Sequence, residues 1–212
     1  IPLTADCTQD DTDPAFSPDG RTIAYRSECG GGGIFVMGAT GESSRRVTDF
    51  GYAPAWSPDA LELAVVTEDS GPPTSRNSLS ELWAVRLDSG ARRRVSHYDA
   101  MAPTWSPDGR RIAFWGLREE TFQRDLWSVA ADGSESAKEA AVSMVDDAAI
   151  DWAPVYSHDG RWLYFASTRG GTFNLWRLAL DAASGETQGE PEPLTAPSSW
   201  AGPFDLSADG RR

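Results

Sequence analysis

Ala102-Pro103-Thr104-Trp105-Ser106-Pro107-Asp108-Gly109 decides the reading of this 212-residue chain, because the same phrase is written four times. It is preceded by Asp13-Pro14-Ala15-Phe16-Ser17-Pro18-Asp19-Gly20 and Ala53-Pro54-Ala55-Trp56-Ser57-Pro58-Asp59-Ala60, and followed by Ala153-Pro154-Val155-Tyr156-Ser157-His158-Asp159-Gly160. A decayed copy, Leu206-Ser207-Ala208-Asp209-Gly210, comes last. The serines at 17, 57, 106, 157 and 207 lie 40, 49, 51 and 50 residues apart. That is the period of a four-stranded propeller blade.

Each phrase reads as a strand running into a tight turn. Proline presets φ, aspartate bonds the backbone ahead of it, and glycine takes a positive φ. Ser17, Asp19, Ser57, Asp59, Ser106, Asp108, Ser157 and Asp159 are therefore turn residues. A second strand follows every turn: Ile23-Ala24-Tyr25, Leu63-Ala64-Val65-Val66, Ile112-Ala113-Phe114-Trp115 and Leu163-Tyr164-Phe165-Ala166. A third comes after a variable loop, as in Leu82-Trp83-Ala84-Val85 and Leu126-Trp127-Ser128-Val129, and a fourth closes the unit, as in Arg94-Val95-Ser96. The runs show no clean polar alternation, as expected when both faces of a sheet are covered. The expectation is an all-β propeller, a single domain over 1–212. Its blades run approximately 12–49, 50–97, 98–145 and 150–196, with partial strands at 1–4 and 203–212. Ile1-Pro2-Leu3-Thr4 looks like the last strand of a preceding blade, so four complete blades of a longer, six-bladed ring are expected, the parent chain supplying the rest.

Composition bounds the partners. The formal charge of −13 repels phosphate backbones and anionic lipid. No apolar run approaches the roughly 18 residues of a membrane helix. Nucleic acid and direct membrane insertion are therefore not expected. No nucleophile elbow, His-Glu-x-x-His helix or phosphate-binding Gly-Lys loop is present. The two histidines, His97 and His158, fall on opposite faces of the expected ring. The expectation is no catalysis within this region, no metal and no cofactor.

In a four-stranded blade the loops joining strand four to strand one, and strand two to strand three, share a face opposite the Ser-Pro-Asp-Gly turns. Here that face gathers Asp6, Asp10, Asp11, Asp13, Asp49, Asp69, Asp99, Asp146, Asp147 and Asp151, with Tyr52, Tyr98, Trp152 and Trp200 as aromatic rim candidates. Acid and aromatic together could hold a cationic group, so Tyr52, Tyr98, Asp99, Asp147, Asp151 and Trp152 are the candidate binding residues for a protein or a small cationic or peptide ligand. The bland alternative is that these loops are acidic because the whole chain is. Cys7 and Cys29 sit in loops on this same face. A disulfide between them is sterically possible, and two unrelated thiols are the other reading.

The repeat resembles that of the TolB-like propellers (WD40-like PD40 repeats), which reads Pro-x-Trp-Ser-Pro-Asp-Gly, Ile-Ala-Phe, Leu-Trp and Leu-Thr. The Gly-His and Trp-Asp signatures of WD repeats are absent, and the sialidase Asp-box spacing does not fit. The resemblance implies a binding propeller: a sensor or scaffold in a bacterial signalling protein, like the arrays fused to Ser/Thr kinases. It also admits the gating propeller of a prolyl-oligopeptidase-like hydrolase, or a periplasmic partner-binding protein. An extracytoplasmic location follows from the resemblance alone.

Overall fold

A computed structural model describes residues 3–4, 8–69, 78–117, 124–134, 141–145, 147–195 and 204–206. Among the described residues, sixteen strands make four antiparallel four-stranded sheets, each built from consecutive strands. The first holds β1 (Asp11–Phe16), β2 (Thr22–Ser27), β3 (Gly33–Gly38) and β4 (Arg45–Arg46). The second holds β5 (Tyr52–Trp56), β6 (Glu62–Val66), β7 (Leu82–Arg86) and β8 (Arg92–Ser96). The third holds β9 (Met101–Trp105), β10 (Arg111–Leu117), β11 (Arg124–Ala130) and β12 (Val142–Ser143). The fourth holds β13 (Asp151–Tyr156), β14 (Trp162–Ser167), β15 (Asn174–Leu180) and β16 (Thr187–Pro193). The inner strands touch in the order β1, β5, β9, β13, so the sheets fan about one axis as an arc of blades that does not close.

The Ser-x-Asp turns explain why the repeat is so regular. In each, the serine hydroxyl donates to the aspartate at 2.6 Å and accepts a backbone N–H five residues on. The aspartate also accepts the N–H two residues on. The serine hydroxyls hold the Asp19, Asp59 and Asp159 carboxyls below their usual range. At Asp108 burial works the other way, and Ser106 with the Arg110 N–H outweighs it. These carboxylates stay charged because the turn is built on their charge.

The inner strands carry a feature invisible in composition. Asp13, Ala53, Ala102 and Ala153, each just before the strand proline, have φ of 51°, 46°, 44° and 51°. The pairing register slips at the same place in all four blades. Non-glycine residues rarely adopt positive φ, so a fourfold recurrence marks a designed bulge where proline has no N–H to give the ladder.

Blades are joined by apolar packing and by a repeated indole bond. Ala24, Ile34 and Val36 of the first blade meet Leu63, Val65 and Val85 of the second, with Trp56 and Trp83 against them. A larger core runs through the remaining junctions and buries Phe114, Leu126, Leu163 and Phe165 completely. Trp56 donates its indole N–H to the Ala15 carbonyl at 2.9 Å, and Trp105 donates to Ala55 at 3.1 Å. The repeat's tryptophan thus ties the second inner strand to the first and the third to the second. Phe16, its counterpart in the first blade, has no indole N–H and is 64% exposed.

Candidate functional site

The expected acid–aromatic face is assembled differently from a ligand mouth. Asp99 is only 6% exposed. Its carboxylate accepts the N–H of Ser80 at 2.8 Å and of Leu117 at 2.9 Å, tying the loop before β7 to the end of β10 in the next blade. A Cβ on Gly116 would fall 1.7 Å from the Asp99 carbonyl oxygen, so glycine there is what lets the strand approach. Asp151 is 0% exposed, and Trp152 is buried with its ring edge-on to Phe173 at 4.5 Å. Asp99, Asp151 and Trp152 are thus buried, a correction to their place on an open rim, and Asp99 bridges two blades. The reason is that inner strands begin where the blades are already in contact.

Two arginines of the chain itself stand beside these groups. Arg26 lies 4.4 Å above the Tyr52 ring, bonds the Gly51 carbonyl at 3.3 Å and pairs with Glu28 at 2.6 Å. Arg169 reaches Asp151 at 2.8 Å and Asp147 at 3.0 Å, and stands over the rings of Phe165 and Trp176. Tyr98 stacks on Trp127 at 5.2 Å with a 13° angle between planes. Of the six candidates only Asp147 is exposed. Asp6, Asp146 and Trp200 lie outside the described residues. Arg26 and Arg169 were missed by sequence reading; their signal was an arginine placed directly after, or within, an apolar strand end.

Burial pushes the Asp151 carboxyl up to about 6, against the pull of Arg169 and the neighbouring Ser167. Asp147 and Asp125 push it in the same upward direction. The group is therefore a strained charge inside the junction of the third and fourth blades. Cys29 is disulfide-bonded, and Cys7, the only other cysteine of the chain, lies outside the described residues.

An open cleft lies on the opposite, turn-bearing face. It has a volume of about 790 Å³ and is walled by the Ser106–Gly109 and Ser157–Gly160 turns and by the chain around Asp132 and Asp181. Asp132 is held ionised by the hydroxyl and N–H of Ser134, and Asp181 by the N–H groups of Ser184 and Ala183. Arg111, on its floor, is committed to Ser128. Ser106 and Ser157 are buried with their hydroxyls donated to Asp108 and Asp159, so neither is a free nucleophile. The corresponding groove between the second and third blades is smaller, about 260 Å³, and Arg93 lines it, pairing with Glu62 and bonding the Ala131 carbonyl. The residue facing the same ladder position in the third blade is Val142, a shorter side chain without a charge.

The TolB beta propeller domain (PD40) matches residues 52–198. The chain belongs to that family. An uncharacterized protein of Agrobacterium fabrum, Atu1656, is 27% identical over 180 residues, 82% of this chain and 56% of that protein. The Tol-Pal system protein TolB of Anaeromyxobacter dehalogenans is 38% identical over 105 residues, 49% of this chain and 21% of its own length. The structure of a putative TolB from Agrobacterium tumefaciens superposes with a TM-score of 0.65 at 27% identity, covering 83% of this chain and 63% of that one. Dipeptidyl-peptidase 5 of Porphyromonas gingivalis is 28% identical over 134 residues, 59% of this chain and 19% of the peptidase. This TolB-family propeller thus spans less than two thirds of each of these relatives.

Proposed function

We propose that this TolB-family propeller is a non-catalytic partner-binding domain, and that it takes a protein segment bearing lysine or arginine in the cleft between its third and fourth blades. The observation that carries this reading is the cleft itself. It is open, ringed by ionised Asp132, Asp159 and Asp181, and its serines are consumed by turn hydrogen bonds. Such a site offers charge and shape for binding, and its described serine hydroxyls are engaged with neighbouring aspartates. The TolB relative, named for the Tol-Pal system, supports a protein partner. In a signalling parent the same surface would serve as a sensor.

The test is fluorescence anisotropy with labelled basic, neutral and acidic peptides of equal length. The basic peptide should bind best, and Asp132→Asn with Asp181→Asn should weaken it about tenfold, because each exposed charge contributes modestly. Equal binding of the acidic peptide, or an unchanged affinity in the double variant, would refute the cleft assignment. A second reading, the gating propeller of a hydrolase, is supported by the peptidase relative. It requires that the whole protein cleave peptides.

A further inference from the structure

The face that each blade offers to the next is small at its centre. Ala24, Ala64 and Ala113 take the same position on β2, β6 and β10, and all three are fully buried. Paired with them on the third strands stand Val36, Ala84 and Ser128, also buried. The incoming blade brings the large ring, through Trp56, Trp105 or Tyr156 just ahead of its Ser-x-Asp turn.

The fourth blade reverses this arrangement. Tyr164 stands where the others have alanine, and Arg177 stands where they have Val36, Ala84 and Ser128. Arg177 lies 4.0 Å above the Trp162 ring and pairs with Glu192 at 2.7 Å. All of Trp162, Tyr164 and Arg177 are half-buried. A tryptophan arriving as Trp105 does would compete with the Tyr164 ring for one space, and overpacking of that kind is destabilising. The sequence removes the conflict: in the next copy of the repeat the residue before the serine is Leu206.

We propose that the segment Phe204–Leu206 docks on this face of the fourth blade as the inner strand of a following blade, through a size swap. Tyr164 supplies the ring that other junctions receive from the incoming strand, and Leu206 fills the smaller space left over. Phe204 and Leu206 are already half-buried in this chain. The Leu206 side chain has no donor to match the indole bonds of Trp56 and Trp105, so this junction lacks a bond that those two have.

Hydrogen exchange of the 204–206 amides in the full chain tests the swap. Tyr164→Ala alone and Leu206→Trp alone should each speed exchange about tenfold, one by leaving a cavity and the other by overpacking. The two together should return exchange to within about threefold of the parent, since contacting residues couple. Additive effects in the double variant would overturn the proposal. So would protection that rises with protein concentration, which would assign the face to a second copy. If Tyr164→Ala does not fold, Tyr164→Val with Leu206→Phe poses the same question at smaller volume changes.

Discussion

At Asp151→Asn the buried carboxylate between the third and fourth blades becomes a neutral amide of the same shape. The folded carboxyl titrates at about 6 and its ordinary value is 3.8, so the folded state favours the protonated form. Stability from this group is fully present below the unfolded value and is lost as pH rises through the folded one. Once both forms are ionised the gap corresponds to about 3 kcal/mol, at about 1.36 kcal/mol per pH unit. Linkage places about 1.4 kcal/mol of that loss between pH 5 and pH 7.5. Asp151→Asn should therefore be more stable than the parent by up to about 3 kcal/mol at pH 7.5, and by about half as much at pH 5. Arg169 keeps Asp147 as a counter-ion, so the substitution leaves no unpaired cation. Urea unfolding of both proteins at the two pH values measures the difference. A variant no more stable than the parent at pH 7.5, or an advantage that does not shrink at pH 5, would refute this account of a strained buried charge.

Two further substitutions probe the repeat. Ala60 holds φ of 58° at the turn position where the other blades have Gly20, Gly109 and Gly160. Ala60→Gly should relieve that strain, and after the entropy gained by the unfolded chain it should raise the melting temperature by about 2–4 °C. Gly116→Ala would drive a methyl into the Asp99 carbonyl and should cost about 3 kcal/mol or more, seen as a lower urea midpoint. A midpoint within error of the parent would mean that the Asp99 loop can move away.

The blades were readable because their signal is local. Ser-x-Asp-Gly binds its own backbone within five residues, so the same letters give the same turn wherever they stand. The candidate site was less readable. Tyr52, Asp147 and Asp151 were read as groups for a ligand's cation, and beside them stand Arg26 and Arg169 of the chain itself. Their long side chains reach partners 18 to 26 positions away, and spacing carries no trace of such a contact. The cleft was missed for the same reason, since its walls come from turns in two different blades.

The sequence by itself determined the repeat, its four strands per unit and the turns between them, because each rests on the conformational limits of a few adjacent residues. It also determined the acidic surface, which needs only a count. Tertiary structure decided which acids face solvent and which are sealed between blades. It also decided that Trp56 and Trp105 act as inter-blade donors, and that the groove Arg93 lines is smaller than the one beside it. Those outcomes depend on the distance between residues about 40 to 50 positions apart, and that distance exists only after the blades have packed.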